Sequence, residues 1–156
     1  MSIEIEKKYL VKSDAFIKES FKKIRITQGY LSSIPERTVR VRLKDDKGFI
    51  TIKGIPSKSG ISRYEWEKEI SMKDAKELFK LCESGVIDKT RYYIYSGIHT
   101  VEVDVFDREN KGLIVAEIEL SCEDEKIQKP NWLGKEVTGE KKYYNSMLMK
   151  EPYLSW

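Results

Sequence analysis

Alternation at the period of a β-strand is the feature that most constrains this chain. In the first ten residues Glu4, Glu6 and Lys8 recur at every second position, and Ile3, Ile5 and Lys7 occupy the alternate positions. Because successive side chains of a strand point to opposite faces, this spacing predicts one charged face and one apolar face. The same alternation returns in segment after segment. The chain is therefore predicted to consist mainly of strands that each carry charges on one face.

Eight segments show this pattern, and most are joined by short turns or loops, several of which contain Gly and Asp. Hairpin connections predict antiparallel pairing, and apolar residues at helical spacing predict three short helices. An α+β fold in a single domain over residues 1–156 is therefore expected. The strands are predicted at 1–10, 25–31, 36–44, 49–54, 62–70, 86–95, 100–106 and 113–120, and the helices at 11–23, 71–84 and 140–150.

Composition excludes several classes of protein. Lys and Arg number 29 against 26 Asp and Glu, and this net charge of +3 is too balanced to indicate a nucleic-acid binder. Cys82 and Cys122 lack the spacing of a metal site or a redox pair, so reduced thiols are expected. No apolar run reaches membrane-spanning length, and glutamates stand where a signal peptide is apolar. We expect a soluble cytoplasmic protein with no nucleic-acid or membrane partner.

The distribution of acids and bases among the strands bears on how the sheet is arranged. Alternation alone favours an open sheet whose charges face water. A closed sheet would instead place the charges inside and the apolar face outside under helices. The separation of acids from bases by strand favours closure, because a solvated face needs no such sorting. The alternating acids are Glu4, Glu6, Glu65, Glu67, Glu102, Asp104, Glu117 and Glu119, and the bases are Lys8, Arg40, Arg42, Lys53, Lys89 and Arg91.

Acids and bases in one cavity suit a complex of a metal ion with a triphosphate. Arginine and lysine bind phosphate oxygens, while clustered carboxylates bind hard divalent cations such as Mg²⁺ or Mn²⁺. Phosphoryl transfer depends mainly on positioning and charge neutralisation, so no Ser or Cys nucleophile is required. The single histidine, His99, lies in a predicted turn and is interpreted as incidental to this chemistry.

The segment Glu4-Ile-Glu-Lys-Lys8 resembles the ExExK signature of the CYTH superfamily, the triphosphate tunnel metalloenzymes. ExExK alone is a weak motif in a chain this rich in Glu and Lys, but an ordered set of matches spans nearly the whole chain. The resemblance implies a closed eight-stranded antiparallel β-barrel, a tunnel with a charged interior and a few covering helices. The further matches are 38–42, 51–53, 65–67, 89–91, 102–104, 117–119 and 136–138.

The resemblance also implies roles for individual residues. The bases expected to bind triphosphate and act in catalysis are Lys8, Arg40, Arg42, Lys53 and Arg91, with Lys89 and Lys142 as further substrate-binding candidates. The acids expected to face the metal are Glu4, Glu6, Asp104, Glu117 and Glu119, with Glu65, Glu67 and Glu102 holding the bases or binding a second ion. Any single glutamate could instead serve only to pair with an arginine across the tunnel.

Several reactions are compatible with such a tunnel. Members of the superfamily hydrolyse inorganic, thiamine or nucleoside triphosphates, or cyclise ATP as class IV adenylate cyclases. Apart from Trp66 and Trp132, the sequence offers no obvious aromatic pocket for a base, so Mg²⁺- or Mn²⁺-dependent hydrolysis of inorganic triphosphate is expected. A non-catalytic polyphosphate-binding module and an interaction protein with an exposed charged sheet are the alternatives. The apolar strand faces exceed what three short helices cover, which favours a homodimer.

Overall fold

The structure, a computed structural model, describes residues 2–156. Within this range no helix has both the length and the apolar character needed to cross a membrane. Short 3₁₀ turns at Arg108–Asn110, Lys141–Tyr143 and Tyr153–Ser155 accompany the regular elements. These elements are, in chain order, β1 (Ile3–Val11), α1 (Phe16–Glu19), β2 (Lys22–Ser32), β3 (Arg37–Lys44), β4 (Lys47–Gly54), β5 (Ser62–Ile70), α2 (Met72–Phe79), β6 (Ile87–Ser96), β7 (His99–Phe106), β8 (Ile114–Glu119), β9 (Leu133–Glu136) and α3 (Asn145–Leu148).

The sheet closes into a barrel of eight antiparallel strands. Its order is β5-β4-β3-β2-β6-β7-β8-β1, and β1 returns to pair with β5. This closing ladder is short and includes the pair Ile3 and Tyr64. The ninth strand, β9, pairs with the other end of β1 at Tyr9 and Val11. The predicted closed eight-stranded barrel is confirmed, and closure removes the edge strands of an open sheet.

The two faces of the barrel strands have the chemistry that the alternation predicts. On the outside, buried valines of β7 and small or apolar residues of β8 form one cluster with Phe16 of α1 and Trp132 before β9. Phe16 contacts the ring of Tyr92 edge-on, with ring centroids 5.4 Å apart. This outer layer stabilises one side of the barrel, since burying apolar surface is the dominant favourable term in folding.

The inner face is charged along most of the barrel and becomes apolar at one end. A second cluster of buried side chains, including Tyr143 and Leu148 of the C-terminal segment, fills that end. It forms what we call the floor of the tunnel. On four neighbouring strands the side chain two positions beyond a charged one belongs to the floor or packs on it: Ile87 beyond Lys89, Phe106 beyond Asp104, Val115 beyond Glu117 and Leu10 beyond Lys8.

Helix α2 covers the outer face of β2, β3 and β4. Ser71 caps its start, because its hydroxyl oxygen accepts a hydrogen bond of 3.0 Å from the backbone N–H of Asp74. The buried Ala75 approaches the sheet at Gly48, where an added Cβ would lie 2.5 Å from the Ala75 Cβ. A glycine in β4 thus lets the helix lie directly against the strand.

Three expectations for the secondary structure are wrong in extent. The predicted helix 11–23 is reduced to α1, because the flanking residues extend β1 to Val11 and start β2 at Lys22, which pairs with Tyr93. The helix expected over 71–84 ends at Phe79. The expected helix 140–150 is broken at Tyr144, whose backbone is extended. In addition, β9 forms within 121–139, where no strand is predicted.

Candidate active site

A cavity of about 210 Å³ occupies the charged part of the barrel interior. At roughly 30 Å³ for each water in the liquid, it has the volume of about seven waters. Side chains of all eight barrel strands line it, together with Tyr144, Asn145 and Ser146 from the C-terminal segment. The barrel therefore encloses a small, polar space that suits a compact, highly charged ligand.

Two arginines of β3 present donors to this space that the protein itself leaves free. Arg42 donates from its Nε to Gln28 Oε1 over 2.8 Å, and its terminal nitrogens form no hydrogen bond within residues 2–156. Arg40 contacts Thr51 and Glu67 through Nη2, at 3.0 and 3.3 Å, while its buried Nε has no partner among the described residues. Burial of Arg42 beside other cations lowers its pKa to about 9. Unsatisfied guanidinium donors in a polar cavity fit an anion.

Arg91 is instead clamped by acids. Both carboxylate oxygens of Asp104 accept from it, at 2.7 and 2.9 Å, and Glu102 and Glu117 accept at 2.8 and 3.1 Å. Lys89 also pairs with Asp104 at 2.7 Å, and both of these side chains are only 1% exposed. Burial lowers the pKa of Lys89 to about 7 despite the favourable carboxylate. The pKa of Asp104 is lowered, because Arg91 and Lys89 outweigh the effect of its burial.

Lys53 of β4 bridges the seam where the barrel closes. Its ammonium lies 2.8 Å from Glu4 on β1 and 3.5 Å from Glu65 on β5. Burial opposes ionisation of Glu4, but Lys53 outweighs it, so the pKa of Glu4 lies below its usual value. Burial and the neighbouring Glu4 raise the pKa of Glu65 to about 7. The seam thus holds more carboxyl groups than one lysine can neutralise.

A surplus of acid is clearest at Glu6 and Glu119, which lie opposite each other on β1 and β8. Neither makes an ion pair with a base in the described chain. Burial and the neighbouring Glu117 and Glu4 raise the pKa of Glu6 well above its usual range, and burial with nearby acids also raises the pKa of Glu119. Adjacent carboxyl oxygens that lack a cation fit a hard divalent metal ion.

The carboxylates do not form a complete metal cage by themselves. Across residues 2–156, no three His, Cys, Asp or Glu side chains are gathered closely enough to hold a metal ion. Asp104, expected to face the metal, is instead occupied by Arg91 and Lys89. Magnesium is commonly bound through one or two carboxylates together with substrate phosphates and water. Glu6 and Glu119 offer two carboxyl groups without a basic partner in the described part of the chain, which is the number of carboxylates that this mode requires.

The barrel brings most of the residues expected from the sequence to one place. Glu65 and Asp104 lie behind the lining and contact Lys53 and Arg91, respectively. The residues that line the cavity or its mouth, as expected, are Glu4, Glu6, Lys8, Arg40, Arg42, Lys53, Glu67, Lys89, Arg91, Glu102, Glu117 and Glu119.

Lys142 is the expected residue that the structure does not bring to the tunnel. Its ammonium is exposed and lies 5.3 Å from the ring centre of Tyr143 and 4.6 Å from that of Trp156. The 3₁₀ turn at Lys141–Tyr143 directs this side chain outward, whereas Tyr144 and Asn145 enter the cavity.

Some lining residues were not singled out from the sequence. Lys44 shares the inner face of β3 with Arg40 and Arg42, so its spacing was sufficient to identify it. Arg63 could have been found in the same way from its spacing to Glu65 on β5. Asn145 and Ser146 carry no such signal, because they belong to no alternating strand.

The other residues considered from the sequence lie away from the cavity lining. His99 begins β7, where it contacts Glu125, which also accepts a hydrogen bond from Ser121. Trp66 lies on the outer face of the barrel, and Trp132 is buried in the outer cluster. The aromatic side chains at the cavity are Tyr30 and Tyr144.

Comparison with known proteins agrees with this architecture. The inorganic triphosphatase of Acetivibrio thermocellus is 47% identical over 154 residues, covering 98% of this chain and 97% of that protein. The inorganic triphosphatase of Nitrosomonas europaea is 33% identical over 151 residues, covering 93% and 95%. A crystal structure of an inorganic triphosphatase superposes with a TM-score of 0.67 at 29% identity, covering 94% of this chain and 97% of that one.

The family assignment rests on nearly the whole sequence. The match to the CYTH domain extends over residues 2–152, from the first strand of the barrel to the segment that closes its floor. With the barrel and its charged interior in place, the chain belongs to the CYTH domain family.

Proposed function

We propose that the protein hydrolyses inorganic triphosphate to pyrophosphate and orthophosphate inside the tunnel. The observation that carries this proposal is the pair Arg40 and Arg42, which line a polar cavity of about 210 Å³ and each have at least one terminal nitrogen that forms no hydrogen bond within the described chain. Two relatives that are 47% and 33% identical over nearly their full lengths are inorganic triphosphatases. They support the reaction predicted from the sequence.

The surroundings of the cavity favour a substrate without a large organic group. Neither Trp66 nor Trp132 reaches the tunnel, so neither offers a stacking surface for a nucleobase or a thiazolium ring. Arg40, Arg42 and Lys8 have donors that the protein leaves free, and these donors can bind the oxygens of the phosphate chain. Inorganic triphosphate satisfies them without requiring a further pocket.

The basic side chains bind and orient the phosphates and stabilise charge on the leaving pyrophosphate. Arg42 supplies a planar pair of donors, and Lys8, 4.0 Å from Glu117, is only loosely paired and free to turn to the substrate. Arg91 is held rigidly by Asp104, so its position costs little reorganisation during the reaction. Positioning and charge neutralisation are the main requirements of phosphoryl transfer.

CYTH triphosphatases are generally metal-dependent, and we propose Mg²⁺ or Mn²⁺ as the ion. Glu6 and Glu119 would hold it, with Glu4 and Glu117 beside them. When bound, a divalent cation polarises phosphoryl oxygens and neutralises their charge. Glu6 must lose its proton to bind the ion, because burial and the neighbouring acids raise its pKa.

The proposal is tested by phosphate release from tripolyphosphate, ATP and thiamine triphosphate, each with Mg²⁺, Mn²⁺ or EDTA. Wild-type protein is expected to act on tripolyphosphate, to be inhibited by EDTA, and to lose at least 100-fold in kcat/KM on Glu6→Gln. The exposed Glu36→Gln is the matched control, because it removes the same charge outside the tunnel. Release of cyclic AMP from ATP without tripolyphosphate hydrolysis would indicate the cyclase. Saturable binding with no turnover would indicate a binding module.

We also propose a homodimer formed through an uncovered apolar row on the outer face of β4, β5 and β1. Ile52 lies opposite Trp66, and Tyr64 lies opposite Ile3, and all four side chains are exposed. This row carries no charge, so two copies related by a two-fold axis can face each other without repulsion. Exposed apolar patches of a few hundred Å² commonly mark interaction sites.

Light scattering after size-exclusion chromatography tests the dimer. Trp66→Arg is expected to convert a dimer to a monomer, while Leu81→Arg, at an exposed position outside the row, leaves it unchanged. A wild-type protein that is monomeric up to 100 μM would exclude this assembly.

A further inference from the structure

Two neutral amide side chains lie beside the bases at the floor of the tunnel. Gln28, on β2, is fully buried, and Asn145 comes from the C-terminal segment at the start of α3. Gln28 Nε2 donates to Asn145 Oδ1 over 3.1 Å. Together they connect the β-barrel to the segment that closes its end.

Each amide also contacts one cation of the tunnel. Gln28 Oε1 accepts from Arg42 Nε at 2.8 Å, and Asn145 Oδ1 accepts from Lys89 Nζ at 2.8 Å. Arg42 and Lys89 can only donate, so each amide must turn its oxygen toward its cation. Only one orientation of the two amides satisfies all three hydrogen bonds. We call the hydrogen-bonded chain Arg42–Gln28–Asn145–Lys89 the relay, and its donors and acceptors can be arranged in only one way.

The neutrality of this relay distinguishes it from the other supports in the tunnel. Arg91 and Lys53 are held by carboxylates, which cancel much of their positive charge. Arg42 has no carboxylate partner in the described chain, and its hydrogen-bonding partner is an uncharged amide. An amide fixes the direction of a guanidinium while leaving its charge to attract an anion.

We propose that Gln28 and Asn145 are positioning residues that aim Arg42 at the phosphate nearest the floor without neutralising it, and that hold Lys89, which already pairs with Asp104, beside it. The inference rests on the proposed function, since it assumes that a triphosphate occupies the tunnel. Gln28 and Asn145 act through the two bases and make the docking of the C-terminal segment part of substrate binding. The absence of negative charge on the two amides, and not only their hydrogen bonds, determines the affinity for triphosphate.

Asn145→Asp tests the role of charge. A carboxylate at this position can still accept from both Gln28 and Lys89, so every observed hydrogen bond of the side chain is retained while one negative charge is added. We expect at least tenfold weaker binding of tripolyphosphate, measured by calorimetry in EDTA, and a melting temperature close to that of the wild type. The exposed Asn131→Asp adds the same charge outside the tunnel and is the matched control.

Gln28→Met tests positioning. Methionine has a similar length but removes the strong acceptor, so Arg42 is no longer held through Nε. We expect at least tenfold weaker binding and a larger effect on KM than on kcat. The NMR signal of the Arg42 Nε–H should also lose its protection from exchange with water. This last measurement requires neither substrate nor turnover.

The outcomes separate this inference from the proposed function. Wild-type protein that binds tripolyphosphate without hydrolysing it would contradict the proposed function, while the binding of the variants would still decide the role of the relay. If Asn145→Asp binds within twofold of the wild type, the neutrality of the relay is irrelevant. If Gln28→Met also binds within twofold, the amides are structural only and the inference is overturned.

Discussion

Arg42 differs from Arg40 and Arg91 in what surrounds it. Arg91 is matched by three acids, and Arg40 contacts Glu67, whereas Arg42 contacts only an amide oxygen. A buried charge without a counter-ion is costly, and this cost appears in the lowered pKa of Arg42. The cost is offset when an anion enters the tunnel. Arg42 is therefore expected to contribute more to substrate affinity than the arginines that already have partners.

Arg42→Met should raise KM for tripolyphosphate by a factor on the order of 10 to 100, because hydrogen bonds to charged groups contribute about 1.5–3 kcal/mol each. The free energy of unfolding without ligand should fall by no more than about 1–3 kcal/mol, since the buried Gln28 Oε1 loses its donor while an unpaired buried charge is removed. Arg37→Met is the matched control, because Arg37 lies on the same strand with its side chain exposed. Steady-state kinetics and thermal melts of both variants check this. A KM equal to that of the wild type would show that Arg42 does not bind the substrate.

Glu65 predicts a dependence of stability on pH. Its pKa is raised from 4.5 to about 7 in the folded protein, first by burial and then by Glu4. Between these two values the folded state binds the proton more tightly than the unfolded state, so the contribution of Glu65 to stability falls as the pH rises. Glu65→Gln cannot ionise and escapes this loss. Its melting temperature relative to the wild type should therefore be higher at pH 8 than at pH 5.

Thermal melts at pH 5, 6, 7 and 8 measure that difference, with the exposed Glu36→Gln as the control for a lost surface charge. A difference between Glu65→Gln and the wild type that stays constant with pH would mean that Glu65 has an ordinary pKa. A difference that falls as the pH rises would mean that its pairing with Lys53 dominates.

At the scale of elements, strand faces were predictable and the C-terminal segment was not. Alternation identifies the inner face of a strand such as β3, because a residue's face follows from its position alone. Asn145 reaches the tunnel through a break at Tyr144 and the docking of α3, which depend on distant contacts in the floor. For the same reason Lys142 could not be excluded from the sequence: a helix, a 3₁₀ turn and a loop place its ammonium differently.

The contact between α2 and β4 predicts a steric effect. Gly48→Ala would place a methyl group 2.5 Å from the Cβ of Ala75, so the helix must move away from the sheet. Overpacking of this kind typically costs about 1–3 kcal/mol. Gly54→Ala, on the same strand, meets its nearest neighbour at 3.6 Å and is the matched control. Chemical denaturation should show a lower free energy of unfolding for Gly48→Ala than for Gly54→Ala.

The double variant Gly48→Ala/Ala75→Gly examines the cause of that loss. Removing the Ala75 methyl group relieves the contact, although glycine within the helix costs up to about 1 kcal/mol by itself. The double variant should therefore lose less free energy of unfolding than the sum of the losses of the two single variants. If the two losses simply add, the contact between residues 48 and 75 is not the cause of the destabilisation.

The whole molecule encloses more charge than its own ion pairs can balance. Acids dominate around Glu6 and Glu119, and cations dominate around Arg42, within one closed barrel. The tunnel is thus complementary to a ligand that carries negative phosphates at one side and a divalent cation at the other. Residual repulsion in the apo protein lowers its stability, and a metal–triphosphate complex relieves both surpluses together.

Ligand binding should accordingly produce a large rise in melting temperature. A ligand at 100 times its Kd stabilises a folded protein by about 2.7 kcal/mol, and each kcal/mol shifts the melting temperature of a domain of this size by about 2–4 °C. Tripolyphosphate with Mg²⁺ at that concentration should raise the melting temperature by roughly 5–11 °C. Because the wild type with Mg²⁺ would hydrolyse tripolyphosphate as the scan warms, the ligand is kept intact by using the Glu6→Gln variant, or by scanning the wild type with tripolyphosphate in EDTA. Potassium chloride at equal ionic strength separates specific binding from screening, because salt weakens exposed pairs but cannot fill the tunnel. If chloride reproduces the shift, the surplus charges of the interior are screened by ordinary salt, and the barrel is not complementary to a triphosphate.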